Sequence, residues 1–378
     1  MKILVISHTY VTQINRDKWK IFAQDYPDVS LAVVFPREWP GSLYHHQVEN
    51  LEKEQLKNCT FIGLKAFGVG NEVRYGYYPR GLIKVMKNFK PDIIHVEQGD
   101  NALSLFQSIL FAKIFCRQAK LSFFTWVNWH HKFSLKYRLF WGLIEKFNRT
   151  FTSGAIVGNH DAQKILTEKG FTKKTTVCPQ LGINLKTFKP AHIEHHPHRY
   201  IGYIGRLVEE KGVMLLAHAF HSLHTLFPDW RLIFIGSGPF EKQLIDYVVT
   251  HKLIDVVEFR DPISHDKVAN ALSFIDILVL PSYDTPHWKE QFGHILIEAM
   301  ACKVPVIASN AGEIPNVVAQ AGLVFEQNNE KSLTSYLHML MTNASLRNQL
   351  GEKGYQRVKN HYSHQAIAKV TYDFWQSL

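Results

Sequence analysis

From Lys2 to Phe325 the chain repeats one pattern: a short apolar run, a break of Gly, Pro, Asn or Ser, then a longer segment with apolar residues at helical spacing. Runs at 2–7, 30–35, 60–64, 91–97, 120–126 and 154–159 read as strands in the first half. Those at 199–205, 230–235, 256–259, 275–280 and 303–309 do so in the second, and 310–315 and 322–325 read as late loops. The helical segments are 16–26, 77–89, 102–117, 133–147, 161–169, 213–226, 266–274 and the stretch from 329 to the end, whose last helix is expected at 366–375. Strands apolar at every position, alternating with helices, require a parallel sheet covered on both faces. Such sheets bind ligands beyond the carboxyl ends of their strands, so loops 8–13, 97–101 and 128–132 are first-half candidates. At 378 residues the chain is too long for one core, and two α/β domains are expected.

Composition narrows the class. Hydrophobic residues make up 46% and charged residues 20%, an ordinary globular balance. No apolar run nears the roughly 20 residues that cross a bilayer. Met1 leads straight into a strand, so no signal peptide is expected. Cys59, Cys116, Cys178 and Cys302 are scattered without Cys-x-x-Cys spacing, which suits a reducing, cytoplasmic setting without a disulfide frame or structural zinc. Charge is uneven. Residues 1–178 carry 25 Lys and Arg against 14 Asp and Glu, a net of +11, while the whole chain has +10. A one-sided basic half points to a polyanionic surface, membrane or nucleic acid.

The densest chemical signal is Glu290-Gln291-Phe292-Gly293-His294-Ile295-Leu296-Ile297-Glu298, with two carboxylates eight positions apart. Glu290 falls in the loop after the 275–280 strand, and Glu298 about one turn into the next helix. Gly293 lets backbone approach a ligand closely, and a helix N-terminus offers free N–H groups to a phosphate. Arg206 and Lys211 lie in the loop after the 199–205 strand, at a helix start, where two cations suit a diphosphate. Gly236-Ser237-Gly238-Pro239 is a tight turn after the next strand, and Arg260-Asp261-Pro262-Ile263 follows the third.

These elements resemble retaining glycosyltransferases of the GT-B fold, family 4. Glu290 to Glu298 matches that family's E-x7-E element; Gly205, Arg206, Lys211 and Gly212 match its G-R-x4-K-G element. Gly236 to Pro239 matches its GxGP loop, and Cys178 to Phe188 its hinge. The resemblance is specific from about 179 to 325 and covers the rest in outline. It implies two Rossmann-like domains facing an interdomain cleft, with boundaries at 1–185 and 186–360, and a C-terminal helix, 361–378, returning to the first domain. It implies transfer of a hexose from a nucleotide-diphosphate sugar to a hydroxyl acceptor, a glycan or lipid-linked glycan, in surface polysaccharide or glycolipid assembly. Arg206 and Lys211 would hold the diphosphate, Glu298 the ribose, and Glu290 would face the donor sugar. Phe292, Gly293, His294 and Ile295 would present backbone N–H groups. Gly205 and Gly236 would make room for the donor, and Arg260 and Pro262 would flank the base. No Asp-x-Asp is present, so no metal and no cofactor beyond the donor is expected.

The first half departs from the family pattern. Val11 and Thr12 stand where relatives carry Gly-Gly, leaving Thr12 and nearby N–H groups for the phosphate. Asn128 stands where many relatives carry His, matching a branch with Asn. His130 and His131 follow, and either a site role or simple packing fits them. The His195-His196-Pro197-His198 tract within 189–199 reads as interdomain linker. The alternatives are a non-catalytic nucleotide-sugar-binding subunit and a phosphorylase or epimerase on the same scaffold. Segments 80–90 and 133–147 interleave cations with apolar residues at helical spacing. They are consistent with an anionic membrane surface, on the inner face of the plasma membrane, or with helices that merely cover a sheet. Nucleic acid is not an expected partner.

Overall fold

A computed structural model describes residues 1–40, 53–129, 135–190 and 197–378, with backbone alone for 135–139. The chain divides into two compact units, Met1–Gly182 with His364–Leu378, and Ile183–Ser363.

The first unit is built on an eight-stranded sheet. Its strands are β1 (Lys2–Ile6), β2 (Ser30–Pro36), β3 (Lys53–Gln55), β4 (Cys59–Leu64), β7 (Ile93–Val96), β8 (Lys120–Thr125), β9 (Gly154–Val157) and β10 (Lys174–Val177). The order is β10-β9-β8-β7-β1-β2-β4-β3, parallel except for the edge pair β3 and β4. β5 (Ala66–Phe67) and β6 (Gly76–Tyr77) form a separate antiparallel pair. Helices α1 (Asp17–Asp25), α2 (Pro79–Phe89), α3 (Leu103–Phe115), α4 (Leu135–Phe151) and α5 (His160–Glu168) cover the sheet. Pro79 opens α2, where its missing N–H costs nothing. Asn159 caps α5, its side chain accepting from Ala162 N at 2.7 Å.

The second unit carries β11 (Arg199–Ile204), β12 (Trp230–Ile235), β13 (Val257–Arg260), β14 (Ile277–Leu280), β15 (Val306–Ser309) and β16 (Leu323–Phe325). All six are parallel, in the order β13-β12-β11-β14-β15-β16. Its helices are α6 (Val213–His221), α7 (Glu241–Thr250), α8 (His265–Leu272), α9 (His294–Ala301), α10 (Ile314–Val318), α11 (Glu330–Thr342) and α12 (Ala344–Arg357). The last helix, α13 (His364–Gln376), belongs to the first unit. It packs on α1, with Trp375 stacked on Trp19 at 5.7 Å and Tyr372 on Tyr26 at 4.2 Å.

The main strands lie where the apolar runs put them. The edge strands β3, β10 and β16, the β5–β6 pair and helices α7 and α10 are not among the expected elements. β3 and β10 bury none of their positions, so they carry no continuous apolar run. α6 stops at His221, short of the expected 226, and leaves Leu226 exposed. The division between the two units falls at Gly182 and Ile183, ahead of the stretch 189–199 that reads as linker. Within the second unit Ile183 N donates to Tyr362 O at 2.8 Å, and Phe188 is buried against the His265 ring. Residues 191–196 of that stretch, including His195 and His196, lie outside the described residues.

Among their parallel strands, the sheets reverse strand order at β1 and β7 in the first unit and at β11 and β14 in the second. Crevices at such points are where open α/β sheets hold ligands.

Candidate functional site

In the second unit the switch point is formed by loops 205–212 and 281–293. Tyr203 donates its hydroxyl to Arg206 O at 2.7 Å, which fixes the start of the first loop. Gly205 and Gly236 end adjacent strands, donating to Ile235 O and Arg260 O, each at 3.0 Å. Gly212 has φ +66°, and a Cβ there would stand 2.1 Å from Pro281 O. Glycine is therefore what lets this loop press against the end of β14. Tyr283 N adds a bond to Glu210 O at 2.9 Å.

That contact joins Lys211 to Glu290. The ammonium pairs with Glu290 Oε2 and lies 4.8 Å from the centre of the Trp288 ring. Buried Ser282 donates to the same oxygen at 3.0 Å, and Ser309 in turn holds the Ser282 carbonyl. Glu313 N donates to Glu290 O at 3.1 Å. Glu290 is thus held at side chain and backbone. Arg206 is exposed, and its guanidinium has no partner among the described residues. An ammonium with donors to spare and an unpaired guanidinium on one loop make an anion-binding edge.

Gly293, at φ +80°, turns the chain into α9, whose N-terminus has no side-chain cap. Phe292 is buried there, Ile295 is half-buried and His294 is exposed. Glu298 is buried and accepts a bond from His265 Nε2 at 2.9 Å. That hydrogen bond, more than the charges of Glu298 and Asp266, raises the His265 pKa; burial opposes it. His265 opens α8, directly after the loop that carries Pro262. Arg260 stands apart from this group. It pairs with Glu258 at 3.0 Å and lies 4.8 Å over the Phe274 ring.

The first unit's switch point is closed rather than open. The expected loop 8–13 folds into 3-10 turns at His8–Val11 and Gln13–Arg16. Thr12, between them, is buried, and its hydroxyl has no partner among the described residues. Glu97, after β7, is buried among Lys18 at 2.7 Å, the Tyr10 hydroxyl and Gln180 Nε2 at 3.1 Å. Gln180 also donates to Thr9 Oγ1 at 3.0 Å. Burial alone would raise the Glu97 pKa, but Lys18, His95 and the bonds from Lys18 and Tyr10 hold it below the usual carboxylate range. Burial pushes His95 down to about 4, so it stays neutral beside Ser122, 2.8 Å away. Asn128 is buried just past β8. His130 and His131 lie outside the described residues.

The structure therefore brings together Arg206 and Lys211 on one loop, Lys211 with Glu290, and Glu298 with His265. The sequence reading did not single out Ser282, Trp288, His265, Lys18 or Gln180. Ser282 was legible only as the residue that ends a strand. His265 had a faint signal, a histidine at a helix start one strand before the Glu290 loop. All four cysteines are free. Among the described residues no helix is long and apolar enough to cross a membrane.

Comparison with known proteins bears on the family of the second unit and on the fold. Residues 186–357 match the family Glycosyl transferases group 1. The capsular polysaccharide biosynthesis glycosyltransferase CapM of Staphylococcus aureus is 33% identical over 174 residues, 44% of this chain and 43% of that protein. The chain spans about half the length of the curated relatives it matches. Among solved structures, Anabaena HepE in complex with UDP has a TM-score of 0.70 at 15% identity and covers 100% of both chains. The sucrose-phosphate synthase of Thermosynechococcus elongatus has a TM-score of 0.67 at 20% identity, covering 100% of this chain and 98% of that one. The two Rossmann-like units are those of the GT-B fold, and the second resembles the glycosyl transferases of group 1.

Proposed function

We propose that this chain is a retaining glycosyltransferase of family 4. It moves a hexose from a nucleotide-diphosphate sugar to a hydroxyl of a glycan or lipid-linked glycan, in surface polysaccharide or glycolipid assembly. The observation that carries this reading is the grouping at the strand-order switch of the second unit: exposed Arg206, and Lys211 held on Glu290. The likeness to CapM and to HepE, solved with UDP, supports it.

In this reading Arg206 and Lys211 take the diphosphate through charge-assisted hydrogen bonds. The N–H groups of Gly293, His294 and Ile295, at the positive end of α9, face a phosphate oxygen. Backbone at Gly205 and Gly236 leaves room for the donor, backbone around Arg260 and Pro262 flanks the base, and Glu298 accepts from the ribose hydroxyls. Glu290 faces the donor sugar and offsets positive charge developing at the anomeric carbon. The bond from that carbon to the phosphate oxygen breaks, its electron pair leaving with the diphosphate. The acceptor oxygen bonds to the same face of the carbon, and its proton passes to the departing phosphate. Arg206 and Lys211 take up the charge of the leaving group in the role a divalent metal fills elsewhere.

Incubation with uridine- and guanosine-diphosphate hexoses, read by release of free sugar and by the anomeric configuration of transferred product, tests this. Turnover with retained configuration is expected. Inverted product would remove the retaining assignment, and binding without turnover would make the chain a nucleotide-sugar-binding subunit.

A further inference from the structure

Five of the twelve large apolar side chains exposed among the described residues lie on two adjacent helices of the first unit, α3 and α4. On α4, Phe140, Leu143, Phe147 and Phe151 follow each other at three- and four-residue steps; on α3, Phe106, Leu110 and Ile114 do the same. Such steps place each set in one row along its helix. Phe106 meets Phe147 at 4.8 Å and Phe147 meets Phe151 at 4.6 Å, so the rows join into one ridge. Leu143 is 69% exposed, Phe140 63% and Ile114 53%. Both helices still bury another face, through Leu105, Ile109 and Ala112 on α3 and Ile144 and Asn148 on α4. Covering the sheet therefore does not account for the ridge.

Cations border it. The Lys113 ammonium lies 5.0 Å over the Phe151 ring, and Lys146 and Arg117 are exposed on or beside the same helices. Neighbouring α2 adds exposed Arg80, Lys84 and Lys87, with Lys87 4.5 Å over the Phe115 ring. The one acid on α4, Glu145, is engaged by Arg149 and Lys169, each at 3.3 Å. An apolar ridge flanked by cations fits a headgroup layer, where apolar side chains reach the acyl boundary and cations meet anionic phosphates. Nucleic acid would use the cations and leave the ridge in water, and a second copy would set one strongly basic face against another.

We propose that the α3–α4 ridge docks on an anionic lipid bilayer. The inference stands on this surface alone and not on the donor chemistry of the second unit. The experiment is flotation with phosphatidylglycerol-containing vesicles and with pure phosphatidylcholine vesicles, across a salt series. The protein should float only with anionic vesicles, less so as salt rises. Leu143→Ser with Ile114→Ser, and separately Lys113→Glu with Lys146→Glu, should each lower the partition coefficient at least about tenfold. Unchanged melting and unchanged stabilisation by the nucleotide-sugar would show that both variants fold. No flotation at low salt, or flotation that neither variant alters, overturns the proposal. A concentration-dependent dimer dispersed by the Leu143→Ser, Ile114→Ser variant would instead assign the face to a second copy.

Discussion

Each unit sets a lysine–glutamate pair at the point where its strand order reverses, and the two pairs are finished differently. Lys18 and Glu97 in the first unit have side chains 3% and 1% exposed, with Tyr10 and Gln180 completing the carboxylate's bonds. Lys211 and Glu290 in the second are 15% and 9% exposed, and exposed Arg206 sits on the same loop as Lys211. A buried ion pair loses its hydration and is tolerated when every lone pair finds a donor. The first carboxylate accepts donors at both oxygens, and both partners of that pair are shut away from water. The second keeps cationic donors nearer the surface, so the same two residue types form a fixed brace in one unit and, in the function proposed above, a binding edge in the other.

The largest effect should come from breaking the brace. Lys18→Met leaves Glu97 buried without its cation and should cost about 3–5 kcal/mol of stability, read from the denaturant midpoint. An unmoved midpoint would mean the first pair is no more structural than the second. Lys211→Ala should lower kcat/KM for the nucleotide-sugar by about 10- to 100-fold, the loss of a charge-assisted bond of about 1.5–3 kcal/mol. Its stability loss should be smaller than that of the Lys18 variant. Arg206→Ala, at an exposed side chain, should cut donor affinity roughly tenfold and shift stability by less than about 0.5 kcal/mol. Normal turnover in both second-unit variants would remove loop 205–212 from the site.

The units should also answer acid in opposite senses. His265 has a raised pKa, so its bond to Glu298 contributes fully below the ordinary imidazole range and is lost as pH rises through the raised value. His95 and His364 are held neutral, each pushed down to about 4 by burial. Unfolding lets them bind protons, so the first unit should lose stability as pH falls from about 6.5 toward that value. Hydrogen exchange resolved by unit, in wild type and His265→Gln, would show whether protection in the first unit falls with acid while the α8–α9 contact holds. A parallel response in both units would defeat this reading. The smallest expected effect is that of chelation: turnover should be unchanged by EDTA, and a loss restored by Mg²⁺ or Mn²⁺ would show that Arg206 and Lys211 do not act alone.

The alternation of apolar runs with helical segments was enough to place the main strands, because a strand buried on both faces must be apolar throughout. It failed at β3, β10 and the β5–β6 pair, which take their hydrogen bonds at sheet edges or apart from the main sheet and bury little. Arg206, Lys211, Glu290 and Glu298 stand where the sequence places them, each on a loop or early in a helix after a strand, because that placement depends on local spacing alone. Thr12 falls in what the sequence presents as an open loop, and the structure buries it between two 3-10 turns, since nothing local signals how deeply a loop will pack.

The residue types at each strand end were set by the sequence, and which of them meet was not. Lys18 with Glu97, and Lys211 with Glu290, are each 79 residues apart in the chain, and His265 with Glu298 are 33 apart. Pairs so distant are chosen by the order in which strands join the sheet and by how closely glycines such as Gly212 let loops approach. Burial then decides whether a pair braces the fold or faces a ligand. Strand order and burial follow from packing the whole chain, which is why only the tertiary structure could tell the two lysine–glutamate pairs apart.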